Sequence, residues 1–507
     1  MSTPPASTRR SRGTARPKTP AARRTRAPRI APAEGATPAP TRKLAHLTPE
    51  QRVARGKAAR NEVSRASHGG WAPAADRPDP ISLLEEQAVT RVPELVPIRY
   101  GRMLVSPFTF YRGAALIMAA DLAATPRSGL NVQLCGDAHL SNFGVFASPE
   151  RQMMFDINDF DETNPGPWEW DVKRLAASFE IAGRDRAFAP ADRRAIVMTC
   201  VREYRERMRQ ASTMGNLDVW YAHIEVTKLF EQVRAQVGKA QAKAAEANIA
   251  KARTRDSMQA FSKMTTVVDG ERRIIGDPPL ITPIEDLMPP GPARDGINAS
   301  MRNLLRAYRR TLETDRRHLL EDFHYTHAAR KVVGVGSVGT RAWILLMLGR
   351  DDQDPLFLQA KEAESSVLER FVGKSAYPNH GQRVVAGQRL MQAVSDIFLG
   401  WQRVAGIDGK VRDFYIRQLR DWKGSANVDI MLVPGMTAYA RMCGATLARA
   451  HARSGDRIAL ASYLGKGETF DSAIASFSSA YADQNEKDYL ALVNAVKSGR
   501  LTAETGL

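Results

Sequence analysis

Leu134-Cys-Gly-Asp-Ala-His-Leu-Ser-Asn-Phe143, followed by Met154-Phe-Asp-Ile-Asn-Asp-Phe-Asp-Glu162, decides how this chain of 507 residues is read. A strand-like run delivers Asp137, Asn142 follows five residues later, and a second apolar run delivers Asp159 after a further seventeen. Phosphoryl transfer requires such a set. One carboxylate orients an attacking hydroxyl, while a side-chain amide and a second carboxylate hold the magnesium that neutralises phosphate charge. On this reading Asp137 is the catalytic carboxylate, Asn142 serves both loop and metal, and Asp159 and Asp161 are the further magnesium ligands. His139 is expected to act as a hinge of the catalytic loop. A polar turn explains any one of these residues; their ordered combination favours a site.

The spacing G-D-x-H-x-x-N, followed by an apolar-D-F element, resembles the catalytic loop and metal strand of the aminoglycoside phosphotransferase branch of the protein-kinase-like superfamily. Cys135 stands where those enzymes usually have His. Downstream, Gly166-Pro-Trp-Glu-Trp-Asp-Val-Lys-Arg-Leu-Ala-Ala-Ser-Phe179 begins with turn residues and then places Val172, Leu175, Ala176 and Phe179 on one helical face. Asp171 lies in the first turn, where a carboxylate can accept from free amides. The phosphotransferases have a similar G-x-x-x-x-D-L-A-R-L helix. The resemblance implies that Asp171 braces the catalytic loop.

A second constellation is Lys331-Val-Val-Gly-Val-Gly-Ser-Val-Gly-Thr340, a G-x-G-x-x-G loop of Gly334, Gly336 and Gly339 with Ser337 inside it. A dinucleotide fold uses that pattern too, but needs a helix directly after the glycines. A kinase-type loop needs a strand, a turn and another strand ending in a lysine. Ala342-Trp-Ile-Leu-Leu-Met-Leu348, the turn-forming Gly349–Pro355 and Leu356-Phe-Leu-Gln-Ala-Lys361 fit the second pattern. Lys361 is then expected to bind nucleotide phosphates. Its buried ammonium needs an acidic partner, for which Glu362, Glu364 and Glu369 are the nearest candidates. Arg112, in Phe108-Thr-Phe-Tyr-Arg-Gly113, either pairs with phosphate or stacks on Tyr111 or Phe110. Arg417 and Lys423 are weaker candidates.

The glycine loop follows the catalytic loop, the reverse of the usual kinase order, which predicts a circular permutation. A helix near Arg383–Ala393, strands at Asp396–Trp401 and Arg412–Leu419, and a helix over Ala438–Ala452 continue the permuted order. The expected fold is α+β, two-lobed and kinase-like. Its expected segments are a disordered basic tail (1–66), a catalytic-loop lobe with a mostly helical insertion from Ala187 to Arg330 (67–330), a nucleotide lobe (331–425) and a C-terminal helical segment (426–507).

From about residue 50 onward, R-M-x-x-S-P-F-x-F-x-R-G at Arg102–Gly113, C-G-D-x-H-x-x-N-F-G at Cys135–Gly144, N-D-F-D-E at Asn158–Glu162 and V-G-V-G-S-V-G at Val333–Gly339 identify the chain as similar to the bacterial family of unknown function numbered 2252. That resemblance leaves substrate open, so the functional expectation rests on the residues. It is an ATP- and magnesium-dependent phosphotransferase acting on a hydroxyl acceptor. Nucleotidyl transfer, ATP binding without turnover and dinucleotide binding are the alternatives.

Composition adds limits. Residues 1–66 hold 16 Lys and Arg against 3 acidic residues, +13 of the chain's +18. A tail so poor in large apolar side chains is expected to stay disordered and to bind polyanions weakly, and it lacks interleaved aromatics for stacking on bases. No apolar run reaches the roughly twenty residues needed to cross a bilayer. Three cysteines without C-x-x-C spacing argue against a disulfide framework or cysteine zinc site, and a cytoplasmic location is the default expectation.

Overall fold

The computed structural model describes residues 46–233, 239–419 and 421–507, which form a mixed α+β unit. The quoted stretches become two hairpin-like connections that face each other. Strand β1 (Asn131–Leu134) leads into the Cys135–Asn142 loop, and β2 (Phe143–Ala147) pairs with β3 (Met153–Ile157). The Asn158–Thr163 loop then runs into β4 (Asn164–Pro167), which returns to pair with β1, Leu134 opposite Asn164. Both loops therefore hang from paired strand ends, and the Asn158 amide donates to the Asn142 carbonyl at 2.8 Å. After β4 the helix Trp168–Asp185 is buried nearly all round and forms the centre of the largest core. The helices Pro190–Ala211, Val433–Ser454 and Thr469–Lys497 pack around it.

Downstream, β5 (Thr265–Val268) and β6 (Glu271–Ile274) form a hairpin. A six-stranded antiparallel sheet then runs in the order β11 (Gly400–Ala405), β12 (Val411–Gln418), β10 (Pro355–Ala363), β9 (Ala342–Leu348), β8 (His324–Lys331), β7 (Ile281–Pro283). The apolar run of β9 is explained by burial on both faces. Ile344, Leu346 and Leu348 enter one cluster with Phe261 and Phe357, while Leu345 and Met347 enter another with Leu358 and Phe414. The same alternation puts Lys361 on the face of β10 opposite Leu356, Leu358 and Ala360. There its neighbour across the ladder, Tyr415, belongs to the largest core, the one around the helix Trp168–Asp185.

Several expectations need correction. Residues 187–330 are mostly helical, as expected, but β7 and β8 at their end belong to the sheet expected to begin at 331. His-Tyr-Thr-His-Ala-Ala-Arg-Lys in β8 lacks a clean alternation of apolar side chains, so its strand character comes from pairing with β9. The strand expected at Asp396–Trp401 begins only at Gly400, because Asp396 accepts from the Phe398 and Gln418 amides and closes a turn. The helix near Arg383–Ala393 is His380–Met391, and that near Ala438–Ala452 lies within Val433–Ser454.

The disorder expected over residues 1–66 does not hold at their end. Residues 1–45 lie outside the described residues, but Pro49–Glu62 is a helix with a Thr48–Gln51 capping box, and it packs on the helix Arg457–Leu464. Small residues make this contact: a Cβ on Gly56 would lie 2.1 Å from the Ala459 carbonyl. Close backbone approach, and not large apolar side chains, does the docking. Just beyond, fully buried His68 places Nε2 2.7 Å from the Tyr463 hydroxyl. Burial, with Lys173 nearby, brings its imidazole down to about 3.

An unfolded histidine titrates near 6.5, so between these values the unfolded chain holds the extra proton. This contribution to stability should be full above pH ~6.5 and decline as pH falls toward 3, with a slope approaching about 1.4 kcal/mol per pH unit. Urea denaturation from about pH 4 to 7 should show that slope flattened in His68→Gln; an unchanged slope in the variant would contradict it.

Candidate active site

Gly136 starts the site. Its φ is +86°, and a Cβ there would lie 2.2 Å from the Glu162 carbonyl, so only glycine lets the two loops close on each other. Asp171 accepts from the Cys135 amide at 2.8 Å and the Gly136 amide at 3.1 Å, and lies 3.2 Å from His451 Nε2. It holds the loop from below, as expected. Asn142 Nδ2 donates to the Asp137 carbonyl at 2.8 Å, leaving oxygen as the atom its amide can offer a cation.

Asp137 is gripped from one side. Arg174, three residues after Asp171 on the same helix, donates through Nε (2.9 Å) and Nη2 (2.7 Å) to Asp137 Oδ1 and stacks over Tyr111 at 4.0 Å. The other oxygen, Oδ2, lies 3.6 Å from His139 Nε2. Burial raises the Asp137 carboxyl and Arg174 opposes it. His139 is buried and pushed well below its ordinary value by burial, Arg112 and Arg174, so it stands neutral beside Asp137. Arg174 went unassigned in the sequence, although it is the arginine of the D-x-x-R helix quoted above.

Opposite lies the second carboxylate pair. Asp161 accepts from Lys361 Nζ at 2.5 Å, the Tyr415 hydroxyl at 2.7 Å and Ser337 Oγ at 3.2 Å. Asp159 Oδ1 accepts from the Asp161 amide at 3.1 Å, and its Oδ2 lies 4.0 Å from Lys361 Nζ. Burial pushes both carboxyls up. For Asp159 the adjacent Asp161 adds to that rise, whereas Lys361 and Tyr415 hold Asp161 below the usual range. The Lys361 side chain is 3 % exposed, and its ammonium is kept charged by the two carboxylates.

The acidic partner of Lys361 is thus Asp161, not the expected glutamates. Glu362 pairs with Arg341 and Arg412, Glu364 accepts from Thr90, and Glu369 stands 3.8 Å from Arg383 Nε. Strand geometry accounts for the miss: Glu362 follows Lys361 and points to the opposite face.

A cleft of about 480 Å³ gathers Asp137, His139, Asn142, Asp159, Asp161, Arg112, Gly334, Gly336, Ser337 and Glu369 along its walls, with Lys361 beneath it. Gly339 is turned away, its carbonyl accepting from the Val92 amide and its Cα packed on Arg91. The glycine loop joins antiparallel β8 to β9 where a dinucleotide fold would have a helix. Gly336 crosses the Arg112 backbone, where a Cβ would come within 3.3 Å of the Arg112 carbonyl. Arg112 does not stack on Tyr111, because Arg174 occupies that ring; its Nε is buried without a partner. Arg417 lines a separate pocket and donates to the Asn158 carbonyl at 3.0 Å, steadying the Asp159 loop from behind; Lys423 lines that same pocket.

Among the described residues no group of three or more His, Cys, Asp or Glu is poised for a metal. The available donors are two carboxylates and Asn142. That set fits magnesium, which keeps several waters and takes one or two protein carboxylates together with substrate phosphates. It does not fit an all-protein cage. No helix among the described residues is long and apolar enough to cross a membrane, and Cys135, Cys200 and Cys443 are buried free thiols.

The profile of the family described as "Uncharacterized protein conserved in bacteria (DUF2252)" matches residues 91–495, and the chain belongs to that family. No curated protein and no solved structure matches it.

Proposed function

We propose that this member of the family is an ATP- and magnesium-dependent phosphotransferase acting on a hydroxyl, built as a circularly permuted kinase-like fold. The observation that carries the reading is the Lys361–Asp161 contact. Residues 200 apart meet at 2.5 Å, and Asp161 lines the cleft that also holds Asp137 and Asn142. The order of β8, glycine loop, β9, hairpin and β10 with its lysine is the arrangement a kinase-type phosphate site needs.

Asn142, Asp159 and Asp161 would hold magnesium, which when bound neutralises phosphate charge. Lys361, Ser337, Gly334 and Gly336 would face the phosphates, with Arg112 beside Gly336. Asp137, oriented by Arg174 and His139, would accept the proton of the acceptor hydroxyl. As that oxygen bonds to the terminal phosphorus, the bond from this phosphorus to the bridging oxygen breaks and a nucleoside diphosphate leaves. A product heavier by one phosphoryl group separates this from nucleotidyl transfer, and absence of any product separates it from binding without turnover.

ATP with magnesium should raise the melting temperature by about 2–5 °C, and NAD should not. Asp159→Asn should abolish the magnesium-dependent part of that rise while the protein stays folded, because Asp159 is already destabilised as an anion by burial and by Asp161. Magnesium-dependent stabilisation that persists in Asp159→Asn would sink the metal assignment.

A further inference from the structure

The chemistry above occupies one side of the cleft. The end beside the glycine loop is walled by the helices Val96–Met103 and Pro107–Gly113 and by the start of Ala115–Ala123, and it gathers three arginines that meet cleft carboxylates only at longer range, Glu162, Glu362 and Glu364 for Arg91 and Asp137 for Arg112. Arg91, Arg99 and Arg112 all line it, and none of the three forms an ion pair among the described residues. Arg99 is fully buried. Its Nη2 donates to Gln87 Oε1 at 2.9 Å and to the Gly113 carbonyl at 3.1 Å, whereas Nε and Nη1 have no partner. Arg91 donates through Nη1 to the Val338 carbonyl and leaves Nε unpartnered, as Arg112 does.

A second feature points to the same end. Ala115–Ala123 is capped by Ala114, which offers no side-chain acceptor, and Ala115 and Leu116 line the cleft. The amides of an uncapped first turn and the positive end of the helix dipole favour an anion there. A guanidinium buried without an ion pair, as Arg99 is, is costly in a folded chain, so an anion entering this end would meet donors that the protein itself leaves unused.

We propose that this end of the cleft is an anion subsite, and that the acceptor is a small hydroxyl compound already carrying a phosphate monoester. This rests on the phosphotransferase reading of the cleft. Arg112 and the first turn of Ala115–Ala123 receive the phosphate, and Arg99 and Arg91 supply positive potential from behind. A phosphate monoester matches the site better than a carboxylate does, because its second charge and third oxygen answer more of the unused donors. Arg112 is also an electrostatic neighbour of Asp137, so a phosphate bound there leaves the hydroxyl end of the acceptor on the Asp137 side.

Calorimetric titration of the full chain with inorganic phosphate, at constant ionic strength and against a chloride control, tests the subsite without the nucleotide. The wild type should bind phosphate saturably. Arg112→Gln should weaken that binding tenfold or more. Gln87→Glu should do the same while keeping the fold, since it preserves side-chain volume and the contact to Arg99 and adds the missing counter-charge. Asp159→Asn should bind phosphate like the wild type even though it loses magnesium-dependent ATP stabilisation, so failure of the subsite and failure of the metal site are distinguishable. No saturable binding in the wild type, equal binding in both subsite variants, or loss of phosphate binding in Asp159→Asn would overturn the proposal.

Discussion

Lys361→Met is expected to lower the unfolding free energy by about 3–5 kcal/mol and to remove measurable ATP binding. Methionine replaces the aliphatic stem, so the loss isolates the charge. Lys361 is almost wholly buried and lies 2.5 Å from Asp161 and 4.0 Å from Asp159. Without the ammonium, two adjacent half-buried carboxyls face each other with the Tyr415 and Ser337 hydroxyls, the Asp161 amide and the more distant Arg417 as compensation. Removing one partner of a buried pair costs about that much, because it leaves charge uncompensated. Asp161→Asn in the Lys361→Met background should recover part of the stability and none of the nucleotide binding, a coupling that a double-mutant cycle in urea denaturation reads directly. A single variant within about 1 kcal/mol of the wild type that still binds ATP would remove Lys361 from the phosphate site.

The parts of the site set by local chemistry were readable in the sequence. The Leu134–Phe143 loop, the brace at Asp171, the strand–hairpin–strand carrying Lys361 and the glycine loop before it all occupy the positions their spacing implied. What escaped depends on long-range packing. Proximity in sequence points to the glutamates after Lys361 as its partner, but alternation along β10 sends Glu362 to the other face and delivers Lys361 to a loop 200 residues earlier. Arg99 and Arg91 stand in a segment without a recognisable motif, and what marks them is donors left without a partner at the edge of the cleft, a property that only the fold creates. The helix Pro49–Glu62 was lost inside a basic, alanine-rich composition because its docking uses Gly56 and Ala59, residues that carry no hydrophobic signal. β7 and β8 were absorbed into a helical insertion since their pairing partners lie further along the chain.

Asp137→Asn should reduce turnover by about 10²–10⁴-fold, the usual contribution of a positioned acid–base group, while ATP affinity stays within a few-fold. The amide is chosen over alanine for a structural reason. Arg174 is buried and directs two donors at Asp137 Oδ1, and an amide oxygen can still accept them, whereas alanine would strand the guanidinium and add a folding cost of several kcal/mol. What asparagine removes is the negative charge and the ability to take a proton at the oxygen beside His139. The nucleotide contacts proposed for Lys361, Ser337 and the glycine loop do not pass through Asp137, so binding and chemistry should separate cleanly in this variant. His139→Gln should cost less, since a neutral imidazole 3.6 Å from Oδ2 orients the carboxylate and carries no charge into the reaction. Single-turnover measurement of ATP consumption, with ATP affinity measured in parallel by calorimetry, distinguishes the cases. Full turnover in Asp137→Asn would reduce Asp137 to a turn residue tied to Arg174, and the catalytic carboxylate would then have to be sought in the Asp159–Asp161 pair.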